Sequence, residues 1–261
     1  MTGVHGQTPT YAVNICARVS AVRRFGRYAL VDLLAPAIAG RAKPGQFVMV
    51  AVPGEGFHLR RPLSVHSLAD DAVRLLIEPR GAGSRALAGV AVGDTLGVAG
   101  PLGSGFPTAG VSRGLLVGGG IGVAPLQLVA DVLVARGAGV AAACGFRDAG
   151  QARLASALDI AELSVATEDG SVGRRGTAVE LVTTLDVAAQ TTVYACGPQP
   201  MLEALGRWAT ERRLDAYGSL EAHMACGSGS CHGCVVATAQ GLRRVCVDGP
   251  VFALTSLLEA S

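Results

Sequence analysis

Four cysteines near the C-terminal end constrain this chain more than any other feature. In Met224-Ala-Cys-Gly-Ser-Gly-Ser-Cys-His-Gly-Cys, Cys226, Cys231 and Cys234 stand at C-x4-C-x2-C spacing, and Cys246 follows. That order suits a [2Fe–2S] centre. Thiolates neutralise and hold ferric iron. Gly227, Gly229 and Gly233 permit a tight, partly left-handed loop that points backbone N–H groups at sulfur. Two readings compete with this one. A structural zinc site more usually has paired C-x2-C knuckles, and cysteines buried without a metal have no use for three intervening glycines. His232 inside the loop hints at a Rieske-type arrangement, but four cysteines already complete a ligand set, so His232 is expected to face solvent.

The total of seven cysteines is odd, and the crowding of four of them fits metal ligation in a reducing compartment better than a disulfide framework. Cys16 and Cys144 lie in apolar strand patterns and read as small core residues. Half of the 261 residues are apolar, enough to bury a substantial core in two domains and a small appendage. A net charge of +2 without a Lys/Arg run gives no footprint for nucleic acid or an anionic membrane. No apolar run approaches the ~18 residues that span a bilayer. Residues 1–10 are polar and read as a flexible N-terminus without the features of a secretory signal, so the cytoplasm is the expected compartment.

From Tyr11 to about Gly100 the pattern is of short strands, at Tyr11–Ser20, Tyr28–Leu34, Gln46–Val52, Val73–Glu78 and Thr95–Ala99, with breaks at Pro36, Pro44-Gly45, Pro53-Gly54 and Asp70-Asp71. This predicts an antiparallel β-barrel over 11–107. One or two helical turns fit Arg85–Val92. After Pro107 strands and helices alternate, which predicts an α/β domain over 108–215 with a parallel, Rossmann-like sheet. Residues 216–261 are rich in Gly and Cys and too few to bury a core alone. A metal centre would supply the missing stability.

Gly118-Gly-Gly-Ile-Gly-Val-Ala-Pro lies between the apolar strand Leu115–Val117 and a helix over Ala124–Arg136. Strand, glycine turn and helix form the context of a pyrophosphate site. Gly120 and Gly122 let the backbone approach phosphates, the helix start offers oriented N–H groups, and Pro125 costs no needed donor. The plainer alternative is a turn that only packs a helix on a strand. Thr167-Glu168-Asp169-Gly170-Ser171 and Cys196-Gly197-Pro198 end two further strands, so polar and Gly-rich turns gather at the C-terminal edge where open α/β sheets bind ligands. Asp148 could accept a hydrogen bond from an adenosine ribose and favour NAD, whereas Arg147 could face a 2′-phosphate.

Arg60-Arg61-Pro62-Leu63-Ser64 and Gly81-Ala-Gly83-Ser84 place a fixed Arg near a hydroxyl and a second glycine loop able to receive phosphate. A surface Arg beside a turn Ser is the simpler reading of the first. Arg61-Pro62-Leu63-Ser64, however, resembles the R-x-[YF]-S-type flavin motif of the ferredoxin–NADP reductase superfamily, in the version used by its dihydroorotate dehydrogenase electron-transfer subunits. The order of motifs is similar too: the barrel with Arg-Pro-Leu-Ser, then Gly-x-Gly-Ser, Gly120-x-Gly122-x-x-Pro125, Cys196-Gly197-Pro198, the cluster segment, and Cys246-Val-Asp-Gly-Pro-Val-Phe252.

The resemblance covers nearly the whole chain after Tyr11. It implies FAD held by Arg61, Pro62, Leu63, Ser64, Leu76, Ile77 and Glu78, with Gly83 and Ser84 at its pyrophosphate, and NAD as co-substrate. It also implies an oxidoreductase subunit that takes electrons from a catalytic FMN-containing dihydroorotate dehydrogenase subunit, in a heterotetramer of two of each chain, within pyrimidine (UMP) biosynthesis. The family often has Tyr-Arg where this chain has Ile77-Glu78, and Arg80 could replace the charge. Cys196 resembles the residue beside the nicotinamide, or is a buried strand-end thiol. Rival readings are the reductase subunit of a sulfide dehydrogenase, hydrogenase or transhydrogenase-type complex and, from another class, a zinc-stabilised nucleotide-binding module without catalysis.

Overall fold

The computed structural model describes residues 12–258; the expected flexible stretch over residues 1–10 lies outside them. Six strands, β1 (Val13–Phe25), β2 (Tyr28–Leu34), β3 (Phe47–Val50), β4 (Arg61–Ala69), β5 (Ala72–Ile77) and β6 (Thr95–Leu102), close into an antiparallel barrel in the order β1-β2-β5-β4-β3-β6. The short helices α1 (Pro36–Ala39) and α2 (Ala82–Ala88) belong to the same part. Strand alternation turns Ala17, Val19, Val31, Leu33, Val48, Val50, Val65, Leu75 and Val98 inward. The same alternation leaves Cys16 exposed, so it is not the core residue expected of it; Cys144 is buried.

Strand β4 is missing from the strand pattern read in the sequence because Pro62 interrupts it. Residues 61–64 pair only with β3, in the register Val50↔Arg61 to Phe47↔Ser64, and pairing with β5 begins at Val65. A proline is tolerated where one side of a strand has no ladder to supply. That unpaired side is a cavity wall.

The second part contains β7 (Arg113–Gly119), α3 (Leu126–Ala135), β8 (Gly139–Phe146), α4 (Ala149–Ala152), β9 (Glu162–Thr167), β10 (Arg174–Arg175), α5 (Ala178–Val182), β11 (Thr191–Cys196), α6 (Gln199–Glu211) and β12 (Ala216–Ser219). The chain continues through a hairpin, β13 (Val235–Thr238) and β14 (Gly241–Arg244), to β15 (Val251–Ala253) and α7 (Leu254–Leu258). The sheet order is β10-β9-β8-β7-β11-β12-β15, parallel except for β15, which runs antiparallel to β12. Successive residues of β7 feed opposite faces: Leu116 packs with Leu126, Val129, Leu133 and Phe146, whereas Leu115 and Val117 pack with Leu181, Leu202, Leu205 and Trp208. Residues 216–219 and 251–253, assigned from sequence to the cluster segment, are thus strands of this sheet. The cluster segment packs on the barrel through Phe47 and Met49 against Cys234, Val245 and Cys246.

Barrel and nucleotide domain meet through Tyr28, Leu30 and Leu76 and through His66 in β4, which is 1% exposed. Its Nδ1 lies 2.8 Å from the carbonyl oxygen of Ala124, and its Nε2 lies 3.1 Å from that of Ala157. Burial holds the imidazole below its ordinary range, against the two carbonyls. The unfolded chain therefore takes up a proton below about pH 6.5 that the folded chain resists. Stability from this group is complete above about pH 6.5 and declines as pH falls further, by at most about 1.4 kcal/mol per pH unit. In urea unfolding between pH 6.5 and 5, His66→Gln is expected to lose stability less steeply than the wild type. An equal slope contradicts the buried neutral imidazole.

Candidate functional site

The four cysteines form two pairs. The N–H groups of Ser228 and Cys231 donate to Cys226 Sγ at 3.4 and 3.5 Å, and that of Cys246 donates to Cys234 Sγ at 3.4 Å. Gly233 N–H lies 3.5 Å from Cys231 Sγ. The donated N–H groups of Cys231 and Ser228 pull the Cys226 thiol down to about 6, whereas burial and then the neighbouring Cys234 push Cys246 up to about 12. Backbone donors aimed at sulfur are what bound thiolates require. A two-iron centre with four thiolates needs two per iron, and the pairs Cys226/Cys231 and Cys234/Cys246 fit that demand. His232 is exposed, with φ of 57°.

A cavity of about 240 Å³ opens where the three parts of the chain meet. The barrel contributes Pro62, Leu63, Ser64, Leu76 and Glu78, the nucleotide domain Ile121, Ala124, Pro125 and Cys196, and the cluster segment Leu220, Glu221, Ala222, Met224 and Pro250. Alternation along β5 sends Leu76 and Glu78 to this wall and turns Ile77 into the barrel core. Arg61 lies beside it: a Cβ at Gly83 would stand 2.8 Å from the Arg61 Nε and Nη2 atoms, so the glycine makes room for the guanidinium. Ser84 Oγ accepts from the N–H groups of Arg80 and Gly81, both at 2.9 Å, and so shapes the loop. A slot lined by apolar side chains together with the hydroxyls of Ser64 and Ser219 and the charged Glu78, Arg80 and Glu221, with Arg61 and the Gly83 loop adjoining, fits a planar ring bearing a phosphate tail. Cys196 is buried, and burial pushes its thiol up to about 12, so it is a neutral wall rather than a nucleophile.

A second cavity, about 1030 Å³, lies over the C-terminal edge of the parallel sheet, lined by Gly119, Gly120, Gly145, Arg147, Gln151, Glu168, Gly197, Pro198 and Met201, and from the barrel by Arg27, Glu78 and Arg80. Gly120 has φ of 55°, a left-handed conformation that favours glycine. A Cβ at Gly122 would run into the carbonyl of Cys196, so the β7–α3 and β11–α6 loops touch only because that residue is glycine. Asp148 does not stand on this wall. Its carboxylate accepts from Gln151 N–H at 2.8 Å as the cap of α4, and the carboxylates lining the cavity are Glu78, Glu168 and Glu221. Arg27 escaped the sequence reading because a single Arg in a tight turn carries no signal; only the fold brings it to Glu78.

These features are shared with known proteins. Residues 221–258 match the family model described as the iron-sulfur cluster binding domain of dihydroorotate dehydrogenase B. The chain is 37% identical over 214 residues to the dihydroorotate dehydrogenase B (NAD(+)) electron transfer subunit of Caldanaerobacter subterraneus subsp. tengcongensis, covering 80% of this chain and 84% of that one. To the subunit of the same name from Shouchella clausii it is 40% identical over 224 residues, 81% and 85% of the two chains. The chain belongs to this family of oxidoreductase electron-transfer subunits. Among solved structures, an NADH-dependent reduced ferredoxin-NADP oxidoreductase superposes with a TM-score of 0.79 at 25% identity, covering 92% of this chain and 88% of that one. A ferredoxin NADP+ reductase from Neisseria gonorrhoeae with bound FAD and NADP, at TM-score 0.60 and 17% identity over 76% and 91% of the chains, shares the fold.

Gly122→Val places a branched side chain against the Cys196 carbonyl. It is expected to reduce affinity for a dinucleotide on the larger cavity at least tenfold, about 1.4 kcal/mol, while flavin content stays within a factor of two. Titration of the oxidised holoprotein with NAD⁺, followed by tryptophan fluorescence or calorimetry, checks this; unchanged affinity contradicts the loop contact.

Proposed function

We propose that this chain passes electrons from a dihydroorotate-oxidising FMN subunit, through a [2Fe–2S] centre and FAD, to NAD⁺, as part of de novo pyrimidine (UMP) biosynthesis. The observation that carries this reading is the smaller cavity, walled at once by barrel, nucleotide domain and cluster segment. When bound there, a flavin supplies the exchange between hydride pairs and single electrons that a nicotinamide and an iron–sulfur centre cannot trade directly.

The chain's own residues position and exclude. Pro62, Leu63, Ser64 and Leu76 wall the flavin ring, with Arg61, Gly83 and Ser84 at its diphosphate. Gly120, Gly122, Gly197 and Pro198 let the pyridine dinucleotide lie close to the backbone, and Pro125 and Cys196 close the slot between the two. Cys226, Cys231, Cys234 and Cys246 hold the iron. No general acid or base is needed where hydride moves between two bound rings. Dihydroorotate oxidation belongs to the partner, so this chain alone binds no orotate. The assembly is a heterotetramer of two of each chain in the cytoplasm; among the described residues no helix is long and apolar enough to cross a membrane.

A second reading, the reductase subunit of another complex, is favoured by the likeness to the NADH-dependent ferredoxin-NADP oxidoreductase. Coexpression with the FMN-containing dihydroorotate dehydrogenase from the same genome separates them. The first reading predicts coelution at the mass of two copies of each chain and dihydroorotate-dependent reduction of NAD⁺ that neither chain supports alone. A chain that runs free of that protein but coelutes with a hydrogenase or sulfide dehydrogenase subunit contradicts it.

A further inference from the structure

We propose that Glu78 is a positioning residue: its buried carboxylate fixes the guanidinium groups of Arg27 and Arg80 on the wall of the larger cavity, where they receive the diphosphate of a pyridine dinucleotide. This rests on the reading of that cavity as the nucleotide site.

The Glu78 side chain is 4% exposed, and each of its oxygens takes one arginine, Arg27 Nη2 on Oε1 at 2.5 Å and Arg80 Nε on Oε2 at 2.6 Å. A carboxylate at that depth is stable only when paired. The arginines come from different places, the turn between β1 and β2 and the residues after β5, and are themselves about half exposed, at 52% and 61%. A guanidinium has five N–H donors. Each side chain spends one of these on Glu78 in a hydrogen bond. The Arg27 guanidinium also lies over the Tyr28 ring, 5.2 Å from its centroid, which fixes its plane.

Both arginines line the same cavity as Gly119 and Gly120. Two guanidiniums around one carboxylate leave one positive charge in this cluster and most of its donors free, beside Arg147, Glu168 and Glu221 on the same cavity, and a free guanidinium edge has the fork geometry that binds phosphate. Glu221 forms a loose ion pair with Arg80, 3.9 Å from its Nη1 and both more than half exposed, without a hydrogen bond that would use one of the Arg80 donors. The flavin diphosphate already has Arg61 with Gly83 and Ser84, so this pair serves a second one. The departure at Ile77-Glu78 thereby acquires a purpose: the carboxylate at 78 supplies two oriented arginines where the resemblance leads one to expect a single cation.

Isothermal titration of the holoprotein with ADP-ribose, and with adenosine as a phosphate-free control, tests the proposal. Glu78→Gln and Arg27→Ala are each expected to weaken ADP-ribose binding roughly tenfold, the loss of about one charge-assisted hydrogen bond, and to leave adenosine binding unchanged. Arg27→Ala adds little in the Glu78→Gln background, and in Arg27→Ala alone, which removes a positive charge, the salt dependence of ADP-ribose binding becomes shallower. Should Glu78→Gln fail to fold, Arg27→Ala and Arg80→Ala, both at exposed positions, carry the same expectation. Wild-type affinity in these variants, or an equal loss for adenosine, overturns the proposal and leaves the nucleotide site standing. A wild-type holoprotein that binds no ADP-ribose overturns both.

Discussion

The pairing of Ser219 in β12 with Val251 in β15, reinforced by Leu220 N–H donating to the Pro250 carbonyl at 2.9 Å, is the contact on which the rest of the site depends. The cluster segment leaves the sheet edge and returns to it through this neck. Closing a long excursion costs entropy that its own few apolar residues do not offset; the antiparallel pair, the seat on Phe47 and Met49, and metal ligation together do. The residues of the neck, Leu220, Glu221, Ala222 and Pro250, are also one wall of the smaller cavity. Ser104, just past the last barrel strand, donates its N–H to the Gly249 carbonyl at 2.6 Å, so the barrel is tied to the same point. One short stretch of backbone therefore fixes the distances among all three cofactor sites.

Electrostatics divides the labour within that frame. The thiols destined for iron are met by backbone N–H groups, whereas Cys196, between the two cavities, is kept neutral by burial. Glu78, Arg80 and Glu221 line both cavities, so the boundary between the two cavities is a chain of charges rather than an apolar partition.

Much of this was legible in the residues, because the signals were local. The cysteine spacing marked the cluster, the Gly118–Pro125 run fell between a strand and a helix as its context demanded, and β2 was read at its observed bounds. What escaped was non-local. Strand β4 was hidden by Pro62, whose missing donor faces a cavity that no local pattern reveals. The C-terminal β15 joins a sheet built mostly from residues far earlier in the chain. Asp148 read as a ribose acceptor, but the fold uses its Oδ1 to cap α4 and leaves it out of the lining of the larger cavity, neither of which the local sequence reveals. The pairing of Arg27 with Glu78 spans 51 positions and appears only once the barrel closes.

The most direct test is the visible spectrum and metal content of the anaerobically purified chain, before and after addition of NADH. The account predicts flavin bands with a broad iron–sulfur shoulder, roughly two irons per chain, and bleaching by NADH. A colourless protein that contains zinc and cannot be reconstituted with flavin and iron would contradict it.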